Sequence, residues 1–152
     1  MGFMDKLKDA GKSALKSTLI AAAKSYGTVT GGKHKLCKVS MNSAYDKLTF
    51  IKVAAIEAEY VMKDDIKTFY LDREYDSRSQ HYIKIEFNDG ECSEILLNVN
   101  QNQGSALPTA EQRLAAQYKE AAQLVLSLAV NVPNVSEETK EWAKKIGRYA
   151  GV

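Results

Sequence analysis

The sequence predicts an α+β protein, with helices at both ends of an antiparallel β-meander. Three observations carry this. Apolar residues recur at three- and four-residue steps through residues 1–25, a period of two takes over from His34 to Val99, and the helical period returns at Thr109. The 152 residues suit one domain with appendages. Four segments follow: an amphipathic helix over 1–25, a glycine-bearing joint over 26–33, a meander or partial barrel with its capping helix over 34–130, and a last helix within 134–152.

The first segment is read from Met4, Leu7, Gly11, Leu15, Thr18 and Ala22, with Phe3, Ala14, Leu19 and Ala21 widening the stripe. Lys8, Lys12 and Lys16 stand at four-residue intervals on the other side. Such a helix cannot bury its apolar face alone, so it needs a sheet, a partner or a bilayer. Charge agrees with a local anionic contact. Residues 1–26 hold five Lys and two Asp, a net +3, and the basic end up to Lys38 reaches +6 against −4 for the remainder. The residues expected to touch a membrane or partner are therefore Phe3, Met4, Leu7, Lys8, Lys12, Leu15, Lys16 and Leu19. Lysine interrupts every turn, so the segment lacks the continuous apolar stretch of a secretory signal. No apolar run approaches the roughly 18–20 residues of a spanning helix. Lys6 stands where a myristoylation pattern wants Ser or Thr.

Gly27, Gly31 and Gly32 read as a break that stops the helix and loosens the connection. Six strand candidates follow at 34–41, 47–55, 56–62, 66–71, 81–87 and 91–99, the second and third also readable as one long bent strand. The polar stretch Asp72–Gln80 reads as an exposed loop. At Asn88-Asp89-Gly90 a three-residue turn with Gly90 left-handed sets Ile83 opposite Ile95 and Ile85 opposite Ser93, which pairs apolar residues better than a two-residue turn does. After a polar linker at 99–108, Thr109 and Gln112 form a capping box, and Leu114, Tyr118, Ala121, Val125 and Leu128 should cover the sheet. Asn131-Val132-Pro133 ends that helix. Ser136 caps the last one, whose stripe is Trp142, Ile146 and Tyr149.

No residue pattern points to catalysis. Gly27–His34 nearly matches the phosphate-cradling G-x-x-x-x-G-K-[ST] run, but His34 replaces the hydroxyl and the strand and helix stand in the wrong order. Asp72, Glu74 and Asp76 start like a calcium loop, yet Ser77 and Ile83 occupy the places that need Gly and Glu. His34 with Cys37, and His81 with Cys92, are the only thiol–imidazole candidates. Odd spacing along a strand puts the first pair on opposite faces, and the second lies at opposite ends of a hairpin. Two cysteines are too few for a disulfide framework, so both read as buried thiols of a reducing compartment. No cofactor or metal is expected. Tyrosines of the sheet region have the shape to stack bases, but the acidic balance beyond Lys38 argues against nucleic acid.

Tyr60-Val-Met-Lys-Asp-Asp-Ile-Lys-Thr-Phe-Tyr-Leu71 followed by Tyr82-Ile-Lys-Ile-Glu-Phe-Asn-Asp-Gly90 resembles the "Asp-Ile" strand and "aromatic-x-Asp-Gly" hairpin of the bacterial pleckstrin-homology-like (PH-like) domains over roughly residues 34–130. The resemblance implies a strongly bent seven-strand antiparallel barrel closed at one end by a C-terminal helix, the role of the helix from Thr109. It carries over no lipid-binding residues. The expected function is a non-enzymatic binding module of the cytoplasm that associates peripherally with the inner face of an anionic membrane, or with a partner, through residues 1–25. The alternative is an assembly protein in which that helix joins this chain to another copy or a different chain, favoured by the small residues Ala10, Gly11, Ala14, Ser17, Ala21 and Ala22. A third reading packs the helix on the chain's own sheet.

Overall fold

Strict alternation of buried and exposed residues along Gln80–Phe87 and Cys92–Leu97 makes these two segments strands with one wet face and one dry face. They are β6 and β7 of an α+β architecture described by a computed structural model for residue 20 and residues 22–75, 80–100 and 106–151. The other strands are β1 (Gly27–Gly32), β2 (Lys38–Met41), β3 (Lys47–Lys52), β4 (Ala55–Val61) and β5 (Ile66–Tyr75). One helical turn, α1 (Met62–Asp65), links β4 to β5, and α2 (Ala110–Asn131) and α3 (Glu137–Tyr149) follow the sheet. The eight contact residues expected at the N-terminus, and nearly all of the expected helix, lie outside the described residues.

All seven strands join one antiparallel sheet in the order β4-β3-β2-β1-β7-β6-β5. The sheet curls. Tyr60 of β4 and Phe87 of β6 stand five places apart in that order, yet their rings stack at 4.3 Å between centroids. The result is a half-barrel whose hollow is filled by Val29, Val39, Leu48, Phe50, Phe69, Ile83, Ile85 and Ile95, packed with Tyr118, Leu124, Val125 and Leu128 of α2 and Ile146 of α3. Helix α2 lies across the end that holds the start of β1, the β2–β3 turn and the start of β6. Lys24 pairs with Glu120 at 3.5 Å, Asn131 donates to the Tyr45 carbonyl, and the His81 ring meets the Tyr118 hydroxyl.

The expected three-residue turn is present: Gly90 has φ +90°, Ile83 faces Ile95 and Ile85 faces Ser93. The capping box of Thr109 and Gln112 and the Ser136 cap are also in place. Four expectations need correction. The sheet has seven strands, because residues 27–32 form β1, the middle strand, where a joint was expected. Glycine fits there for contact reasons: a Cβ on Gly27 would stand 2.8 Å from both Ile95 Cγ2 and the Leu96 carbonyl oxygen. Residues 33–36 are a turn, so the second strand starts at Lys38. The stretch expected as a loop after Asp72 continues β5 to Tyr75, with Arg73 opposite Tyr82 and Glu74 opposite His81. An outer strand with one solvated face accepts that polarity. Leu114 lies on the first turns of α2, beyond the reach of the sheet, and stays 37% exposed.

Candidate functional site

Two irregularities bring four chemically capable side chains together where the β1–β2 turn meets β4. The first is the β1–β2 turn. His34 and Leu36 both take left-handed backbone, at φ 64° and 75°, so strand parity does not apply and the His34 ring turns inward. The second is a bulge in β4. Phe50 pairs with Ala58 and Ile51 with Ile56, which leaves Glu57 unpaired and re-aims its side chain.

Glu57 joins the two. The Cys37 thiol donates to its Oε2 at 2.6 Å, and His34 Nδ1 lies 3.4 Å from the same oxygen. The other ring nitrogen, Nε2, is 2.7 Å from the Tyr60 hydroxyl. A carboxylate beside Nδ1 favours the proton there, which leaves Nε2 to accept from Tyr60. The imidazole is stacked on Phe50 at 4.8 Å and meets Phe87 edge-on, so its orientation is fixed by packing as well as by hydrogen bonds. Outside this group Lys33 reaches Asp89 at 3.0 Å. Beside Tyr60 opens a cavity of about 320 Å³ that carries the carboxylates of Glu59, Asp64, Asp65 and Asp89. Two of these are engaged in the fold: Asp65 accepts the Val61 N–H, and Asp89 accepts the Glu91 N–H as well as Lys33.

The arrangement holds a loop rather than activating a nucleophile. Burial, followed by the neighbouring Glu57 carboxylate, pushes the Cys37 thiol from its ordinary 9.0 up to about 12. The same hydrogen bond, more than any other influence, holds Glu57 below the usual carboxylate range. The proton therefore stays on sulfur at neutral pH. Because the folded-state value is raised, the stabilisation from this thiol is present below about 9.0 and is lost as pH climbs toward about 12. Native protein treated with iodoacetamide at neutral or mildly alkaline pH should be alkylated at the half-buried Cys92 and spared at Cys37 until it is denatured. Peptide mass mapping checks this, and equal labelling of both would contradict the thiol–carboxylate contact.

The His34–Cys37 pair thus meets through a third residue that no spacing rule marked. Cys92 opens β7, while His81 is buried against Tyr118 and Trp142, so the second pair stays apart. Among the described residues, no set of three His, Cys, Asp or Glu side chains is placed to hold a metal, and no helix is long and apolar enough to cross a membrane. In comparisons with known proteins the chain matches no family profile, no curated protein and no solved structure.

Proposed function

We propose that this chain is a non-enzymatic binding module, a PH-like half-barrel held peripherally on the cytoplasmic face of an anionic membrane by residues 1–25. The observation that carries the reading is the pairing of Phe3, Met4, Leu7, Leu15 and Leu19 with Lys8, Lys12 and Lys16 at helical spacing. Two features of the fold support it. Among the described residues, side chains of the sheet together with those of α2 and α3 fill the hollow of the sheet. Residues 23–25 are tied down where they enter the domain: Lys38 donates to the Ala23 carbonyl, Asn98 donates to the Ser25 carbonyl and Lys24 pairs with Glu120. These contacts fix residues 23–25 themselves at the α2 end. Seven strands with a helix after the last one support the PH-like part of the reading.

Each bulky apolar residue gains on the order of 1 kcal/mol or more on burial. Each lysine near an anionic surface adds about 1 kcal/mol, and ordering the segment offsets part of this. Attachment is therefore reversible. Full-length protein should float with phosphatidylserine-containing vesicles in low salt and detach as salt rises to about 1 M, where the Debye length falls to about 3 Å. Lys8→Gln, Lys12→Gln and Lys16→Gln together should remove most of the binding. Failure to float in low salt would refute the reading. The assembly alternative, which rests on the small residues between Ala10 and Ala22, then predicts a solution mass above that of one chain.

A further inference from the structure

We infer that the domain meets the bilayer with the end crossed by α2, and that Tyr45 and Val130 enter the lipid interface there. This rests on the role given to residues 1–25 and adds the orientation of the half-barrel and two further contact residues. Chain length sets the geometry. Leu19 is the last bulky residue of the N-terminal stripe, and four residues carry the chain from it to Ala23. Four residues span at most about 14 Å, whatever their conformation. Ala23, Lys24 and Ser25 are fixed on the domain by Lys38, Glu120 and Asn98. A Leu19 side chain seated in the interface therefore holds this part of the domain against the headgroup layer, which is itself about 5–7 Å deep.

Two large apolar side chains lie exposed beside that anchor point. Val130, on the last turn of α2, is 82% exposed, and Tyr45, in the β2–β3 turn, is 40% exposed. Asn131 Nδ2 donates to the Tyr45 carbonyl at 3.1 Å, which sets the end of α2 against the turn. Tyr45 also neighbours Tyr26. Burial, and after it the nearby Tyr45 hydroxyl, pushes the Tyr26 hydroxyl above its ordinary 10.0. Tyr26 follows directly on the pinned residues, so entry point, turn and helix end form one continuous surface. The turn itself is held in shape. Asn42 Oδ1 accepts the N–H groups of Asp46 and Lys47, and Tyr45 N–H donates to the Asn42 carbonyl. An ordered tip loses little entropy on insertion.

Lipid suits this surface better than protein does. A stable protein interface covers roughly 800 Å² per partner, far more than two side chains offer. Tyrosine joins an apolar ring to a polar tip, the balance that a boundary between hydrocarbon and water favours. Lys24, Lys38 and Lys47 outnumber Asp46 and Glu120 around the two residues, so anionic lipid is not repelled. Two side chains add to the attachment without replacing the lysines of residues 1–25, so high salt still detaches the protein. Val53 lies at the other end of β3 from Tyr45, roughly 20 Å along the strand, and faces away from the bilayer.

The test uses full-length protein with Cys92→Ser and one new cysteine, Val130→Cys or Val53→Cys, carrying a nitrobenzoxadiazole dye, while Cys37 stays buried. On phosphatidylserine-containing vesicles in low salt, the dye at position 130 should shift to the blue and be quenched by brominated lipid. The dye at position 53 should do neither. Unlabelled Val130→Glu should weaken flotation about tenfold, and Val53→Glu should float like wild type. Val130 is exposed, so Val130→Glu should melt as wild type does and unfolding would not explain the loss. A dye at 130 that stays water-like on floating protein, or a Val130→Glu that floats like wild type, would overturn the inference and leave the role of residues 1–25 standing. A second copy or a protein partner covering Val130 would give that same unquenched dye. A dye quenched at 53 in place of 130 would also overturn it, by placing the other strand ends in lipid. Protein that does not float at all would refute the role of residues 1–25 and this orientation with it.

Discussion

Phe87→Ala is expected to cost about 3–5 kcal/mol of folding stability. Phe87 is 1% exposed and joins both flanks of the curl: its ring stacks on Tyr60, packs edge-on to Phe50 at 6.1 Å and meets His34. Truncation removes the contact that brings β4 over β6 and leaves a cavity that neighbouring strands, fixed by their ladders, cannot collapse into. It also takes away the wall against which His34 is oriented. Urea unfolding should show the loss as a lowered midpoint with a similar slope. A change below about 1 kcal/mol would mean that β4 and β6 do not meet and that the sheet is flatter than described.

Gly27→Val is the second large effect, and it probes the strand that sequence reasoning missed. The first added carbon already meets the Leu96 carbonyl oxygen at 2.8 Å, and the rest of the valine side chain worsens the clash. The obstacle is backbone in a central strand, so relief requires moving the β1–β7 ladder that joins β4-β3-β2-β1 to β7-β6-β5. A cost of about 1–3 kcal/mol or more is expected, read as a fall in melting temperature. If residues 27–32 were a loose connector, valine there would be neutral.

What the sequence revealed and what it hid have physical reasons. The hairpin around Gly90 was legible because its register is set locally, by one turn and by cross-strand pairs a few residues apart. Thr109 and Ser136 were legible because a cap is satisfied within its own first turn. β1 was hidden because its glycines are explained by close approach to residues some sixty to seventy positions away in the chain: Gly27 to Ile95 and Leu96, Gly31 to the Glu94 side chain and Gly32 to the Cys92 carbonyl. The extension of β5 through Arg73 and Glu74 was hidden because polar residues on an outer strand look the same as a loop until a partner strand is known. The Cys37–Glu57–His34 group left no linear trace. It depends on a left-handed residue at 34 and on a bulge at 57, and neither has a signature in a non-glycine sequence. Val53 and Leu36 carry the reverse lesson: both take left-handed backbone where propensity alone would have placed glycine or asparagine.

Hydrogen exchange of the full-length chain with and without phosphatidylserine vesicles bears most directly on how this protein is held in place. Amides of residues 1–19 should exchange quickly in solution and slow markedly on vesicles, while those of β6 and β7 stay equally protected in both. If residues 1–19 are already protected without lipid, or exchange no more slowly with it, the N-terminal segment does not bind the membrane.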